Sequence, residues 1–140
     1  MLFGKKIKIA ATAMSLVFQP VLLRAESDSI EQEARRDLTN YASIVVGYDL
    51  DERCQVLNTR QRSDYFLHMK VIRLGFEKKG LPSILLDQIE DNARSAGRHQ
   101  FSACDRDTAE LIERLGAFTA SLGEDMANWI SRKKNKKPER

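Results

Sequence analysis

Two cysteines open the question of chemistry: Cys54 in GYDLDERCQV and Cys104 in FSACDRD, in a chain of 140 residues. Thiols can pair, hold a metal or exchange electrons, and spacing separates these uses. A redox pair favours Cys-x-x-Cys, which is absent. A zinc site would have to combine Cys54 and Cys104 with His68 and His99, and that spacing matches no common zinc pattern. Two cysteines allow one intramolecular pairing, and an oxidising compartment would close it. A Cys54–Cys104 disulfide is therefore expected, with free or intermolecular thiols as the alternative.

Other chemistry finds little footing. Asp49 and Asp51 begin like a calcium loop, but the required glycine is missing and the twelfth position is Arg60 rather than glutamate. There is no Gly-rich phosphate loop, no His-Glu-x-x-His and no haem-attachment motif. His68 falls between apolar residues and is expected as a hydrogen-bonded core histidine, with pH sensing as its other use. His99, in a polar stretch, is expected in solvent. No catalytic residue, cofactor site or metal site is assigned, and the balance leans away from an enzyme. A cell-envelope hydrolase with acids hidden from a sequence reader stays as an alternative.

The compartment is read from the N-terminus. Lys5, Lys6 and Lys8 precede an apolar run from Ile9 to Leu23, broken by Pro20 and followed by Arg24-Ala25. That is the layout of a secretory signal peptide, cleaved after Ala25. The run is shorter than the roughly 20 residues that span a bilayer. Export to a bacterial periplasm follows as an expectation.

Charge sharpens the picture. The chain has 23 Lys and Arg against 20 Asp and Glu. Residues 26–130 hold 13 basic and 19 acidic residues, a net of −6, while residues 131–140 hold six basic ones. An acidic body lacks the basic face of a nucleic-acid binder, so nucleic acid is not expected as a partner. The tail, with Arg132, Lys133, Lys134, Lys136 and Lys137 directly after Trp129-Ile130, is expected to be disordered. Its charge suits peripheral contact with an anionic envelope surface.

Helical spacing dominates residues 26–130, which read as one domain. A first helix is expected over about 30–46, capped by Ser29 and stopped by Gly47. A second runs over about 59–79, capped by Asn58 with Gln61 completing a capping box. Tyr65, Met69, Ile72 and Phe76 form its core stripe. Leu67, Val71 and Leu74 form another on nearly the opposite side, which calls for a second subunit or partner. A third helix starts at Leu81-Pro82 and stops at Gly97. A fourth, from about Asp105 to Ser131, buries Leu111, Leu115, Phe118, Leu122, Met126 and Trp129. Its small residues Gly116, Ala120, Gly123 and Ala127 imply a close helix approach.

The expected fold is all-α: a small antiparallel bundle of about four helices closed by one disulfide. In an up-down bundle the second and fourth helices start at one end, which brings Cys54 and Cys104 together. The expected function is that of an exported, non-enzymatic interaction protein with a protein partner or a second copy. Leu67, Val71, Leu74, Trp129 and the tail cations are its contact residues. In spacing and composition, Cys54, Cys104, Trp129 and Lys133-Lys134 resemble the small HdeA-type chaperones, although this chain is longer. That resemblance implies, as an alternative, a periplasmic acid-stress chaperone.

Overall fold

A computed structural model describes residues 22–136, with side chains from Ser29 on except that of Ile30. The signal-peptide segment up to residue 21 lies outside the described residues, as do residues 137–140, Lys137 among them. Among the described residues four helices follow one another: α1 Leu22–Cys54, α2 Thr59–Lys78, α3 Ser83–Gln100 and α4 Arg106–Asn135. The chain divides into two units, residues 1–36 and residues 37–140. In the first, the described residues are helical, and Arg35 pairs with Glu31 one turn away at 2.5 Å. The second is an all-α, four-helix bundle, and all that follows concerns it.

The chain runs up and down. α1 and α3 point one way, because Tyr41 reaches Glu90 and Asp49 reaches Arg98. α2 and α4 point the other way, side by side, with His68 over Gly123 and Met126 over Gly75. Cys54 ends α1 and Cys104 precedes α4; the two are bonded, with Cα atoms 5.4 Å apart. The disulfide thus closes one end of the bundle.

Each turn has a local cause. α1 ends at Gln55, whose φ of 56° lies in the left-handed region. Asp51, fully buried, holds this turn together: it accepts from the Leu57 N–H at 2.8 Å and from Arg62 Nε at 2.6 Å. Asn58 and Gln61 then form the expected capping box, each side chain accepting from the other's backbone N–H at 2.9 Å. α2 ends in a Schellman arrangement: Leu81 N–H donates to Phe76 O, Gly80 N–H donates to Glu77 O, and Gly80 takes φ 97°. Pro82 caps α3 rather than opening it. Asp105 caps α4 by accepting from the Thr108 N–H at 2.8 Å.

The core joins Tyr41, Ile44, Val45 and Leu50 of α1 to Tyr65, Met69, Ile72 and Phe76 of α2, Leu86 and Ala93 of α3, and Ile112 of α4. Four expectations are corrected. α1 is already helical at Ser29 and does not stop at Gly47, which is buried inside the helix. Its Cα faces Tyr65 Oη and Leu115, so this glycine answers a close approach rather than a helix end. Gly97 likewise lies inside α3, against Val46. Of the expected stripe of α4, Met126 is buried and Leu111, Leu115 and Leu122 pack half-buried against the core, but Thr108, Ile112, Thr119, Gly123 and Ile130 are buried beside them. Phe118 is exposed, and Trp129 is half-buried. α4 also runs on to Asn135, so Arg132, Lys133 and Lys134 are helical rather than part of an irregular tail.

Candidate functional site

Three surfaces carry residues that the core does not consume. The first is the outer face of α2. Leu67 is 58% exposed and Leu74 is 44% exposed, with Val71 half-buried between them. They sit seven residues apart on one helix face, the spacing of anchors that enter a partner's groove. Arg60, Lys70 and Lys78, all exposed, flank this stripe, and Asp64 adds one acid nearby. The helix that presents it is fixed from both ends by the capping box and the Schellman turn, so the stripe is held on a rigid support.

The second is the end of the bundle where α2 and α4 finish. Trp129 lies between two lysines, Lys79 Nζ at 5.2 Å and Lys133 Nζ at 4.9 Å from its ring centre. Arg132, Lys133, Lys134 and Lys136 are exposed there, as is Lys78. Thus the structure brings the cations that follow Trp129 together with a lysine pair from α2. Lys137 lies outside the described residues.

The third is a cleft of about 360 Å³ between α1, α2 and α3. Tyr48 and Phe66 stack beside it with ring centres 5.8 Å apart, and Lys70 Nζ sits 5.2 Å above Phe66. Several of its charges are paired. Arg73 bridges Glu90 at 2.9 Å, Asp87 at 2.8 Å and Glu77 at 3.3 Å. Tyr41 donates to Glu90, and burial, with Glu90 second, pushes its phenol well above the usual tyrosine value. Asp49, only 5% exposed, accepts from Arg98 at 3.3 Å and has Arg53 Nε at 4.0 Å. Asp49 and Asp51 are therefore helical, arginine-paired carboxylates. The cleft presents ion pairs and a phenol held neutral, not a nucleophile beside a base.

His68 departs from its expected role. It packs over Gly123, and its Nδ1 is buried without a hydrogen-bond partner. It borders a shallow groove floored by Gly116, Ala117 and Ala120. His99 is exposed. Among the described residues no three His, Cys, Asp or Glu side chains are grouped to hold a metal ion, and no helix is long and apolar enough to cross a membrane. The sequence pattern had pointed to Leu67, Val71, Leu74 and the C-terminal cations, but not to Lys78, Lys79 or the cleft. Those need the α2–α3 turn and the parallel packing of α2 and α4, which no short motif encodes.

No protein-family model, curated protein or solved structure matches this chain.

Proposed function

We propose that the protein is an exported, non-enzymatic interaction protein whose α2 stripe binds an amphipathic helix of a protein partner. One observation carries this reading: Leu67 and Leu74 stand exposed on one face of a helix whose other side buries Tyr65, Met69, Ile72 and Phe76 in the core. Burying a leucine is worth about 1.5–3 kcal/mol, so two leucines leave a sizeable association energy unused in the single chain. Arg60, Lys70 and Lys78 around the stripe select a partner helix with acidic flanks. The disulfide and the N-terminal segment with the layout of a signal peptide support action outside the cytoplasm.

A photo-crosslinker placed at position 67 in cells tests this. A defined heterodimer band, lost in Leu74→Glu while the disulfide and helicity persist, is the expected result. A homodimer band would replace the partner with a second copy. A strict monomer by native mass, with no crosslinked species, would overturn the reading.

The chaperone alternative has its own support in three half-buried or buried carboxylates, Asp49, Asp51 and Glu90, each held by arginine. If the purified protein fails to suppress client aggregation near pH 3, that alternative falls.

A further inference from the structure

The end of the bundle built by the α2–α3 turn and the last turns of α4 is a second surface, which shares only Lys78 with the flank of the α2 stripe. We infer that this end docks on an anionic lipid bilayer. Lys78 and Lys79 finish α2, and Arg132, Lys133, Lys134 and Lys136 finish α4. The contact of Lys79 with Trp129 fixes the two groups side by side. The acids that could neutralise them are engaged or distant. Glu77 accepts from Ser83 at 3.1 Å and pairs with Arg73, and Asp87 also pairs with Arg73. Glu124 and Asp125 lie about two turns back along α4 from Arg132. Six cations on an otherwise acidic body make a one-sided field.

The apolar residues decide between a bilayer and a soluble polyanion. Ile84, in the first turn of α3 and five residues after Lys79, is 69% exposed, the most exposed of the large apolar side chains among the described residues. Leu81 and Pro82 precede it in the same turn. A soluble polyanion offers Ile84 nothing, whereas a bilayer takes an apolar side chain below the level of the headgroups while lysines remain in them. Trp129, flanked by two of the lysines, is the residue type that favours that boundary. Both helices also end here, and the negative ends of their dipoles are offset by the same lysines and arginine.

The test uses the protein isolated from the cell envelope at whatever length it has there, with vesicles of phosphatidylcholine alone or with phosphatidylglycerol. Each basic residue near an anionic surface is worth about fivefold in partitioning. Binding is expected on the anionic vesicles and to fall more than tenfold in Lys78→Gln/Lys79→Gln/Lys133→Gln/Lys134→Gln. It should fall as salt is raised. Ile84→Ser, a neutral change at a largely exposed site, should weaken binding to anionic vesicles while leaving the charge of this end unaltered. Arg106→Gln/Arg114→Gln, near the start of α4, should leave it unchanged. Anionic-vesicle binding that persists in the quadruple variant, or equal binding to neutral vesicles, would overturn the inference. So would a protein that ignores both vesicles yet binds a soluble polyanion, which would assign this end to wall polymers instead.

Discussion

The hydroxyl of Tyr65 occupies the space that a side chain on Gly47 would need. It donates to the Ile44 carbonyl of α1 at 2.6 Å, and a Cβ on Gly47 would fall 2.4 Å from it and 2.8 Å from a methyl of Leu115. The bare backbone at Gly47 is what lets α1 meet α2 and α4 at once.

Gly47→Ala should therefore destabilise the fold, against helix propensity. In an open helix the change would gain about 1 kcal/mol. Here the overlap is with a buried ring and a core leucine, and overpacking costs about 1–3 kcal/mol. A net loss of up to about 2 kcal/mol in urea unfolding is expected, with an unchanged m-value. A rise in stability would mean that the helices separate without cost.

The glycines along α2 and α4 should split by sign. A Cβ on Gly75 meets Met126 Sδ at 2.0 Å, and one on Gly123 meets His68 Cβ at 2.7 Å. One on Gly116 finds its nearest atom, Tyr65 Cδ2, at 3.7 Å. Gly123→Ala should lower Tm, since the imidazole must leave its seat. Gly75→Ala should lower it less than the overlap suggests, because methionine repacks easily. Gly116→Ala should raise Tm, with up to about 1 kcal/mol gained in helix propensity. Thermal melts of the three variants side by side decide it.

These contacts also show where the sequence was readable and where it was not. Tyr65, Met69, Ile72 and Phe76 repeat at helical spacing on one face, and all four are buried. Asn58 and Gln61 announced the start of α2 because a capping box is local in sequence. The pairing of Cys54 with Cys104 followed from chain topology. The buried face of α4 was read only in part: Met126 is buried and Leu111, Leu115 and Leu122 pack half-buried against the core, but close backbone approach rotates the face away from Phe118. Gly123 lets α2 come close, which carries Ile112, Thr119 and Ile130 inward and leaves Phe118 outside. A hydrophobic count prefers the phenylalanine; the packing prefers the glycine. Gly47 and Gly97 were read as stops for the same reason, since a glycine that ends a helix and one that admits a neighbour look alike in one dimension. Of the candidate surfaces, Leu67 and Leu74 were visible as a surplus stripe. Lys79 was not, because only the packing of α2 against α4 brings it over Trp129.

The disulfide should contribute strongly to stability. Bridging residues separated by 50 positions removes loop freedom from the unfolded chain, with a model value of about 4 kcal/mol. Cys54→Ala/Cys104→Ala should unfold at markedly lower denaturant, and the loss should match that caused by reduction of the native protein. If reduction leaves the midpoint unchanged, the bridge is not a constraint on the unfolded state.

Asp51 and Arg62 should behave as a pair that is costly to break from one side. Asp51 is fully buried, and Arg62 also donates to the Leu57 carbonyl at 3.1 Å. Arg62→Ala leaves a buried carboxylate without its counter-charge, which should clearly lower stability. Arg62→Ala/Asp51→Asn should recover part of that loss, since an amide oxygen can still accept from the Leu57 N–H. A double-mutant cycle with no coupling between the two positions would contradict this geometry.

Alkaline unfolding should report on Tyr65 and Tyr41. Burial raises both phenols well above the usual tyrosine value of 10.0, and Glu90 adds to the shift at Tyr41. The sign follows from linkage: a group with a raised folded pKa contributes its stability fully below the unfolded value and loses it as pH rises toward the folded one. Stability should therefore hold through neutral pH and decline above about pH 10, the range in which exposed tyrosines ionise. The phenolate absorbance of these two rings should appear only together with loss of helical signal, whereas an exposed phenol would ionise first. Tyr65→Phe removes the buried ionisation and the bond to the Ile44 carbonyl together. It should lower stability at pH 7 and flatten the decline above pH 10. A decline as steep as that of the unaltered protein would place the alkaline sensitivity elsewhere in the bundle.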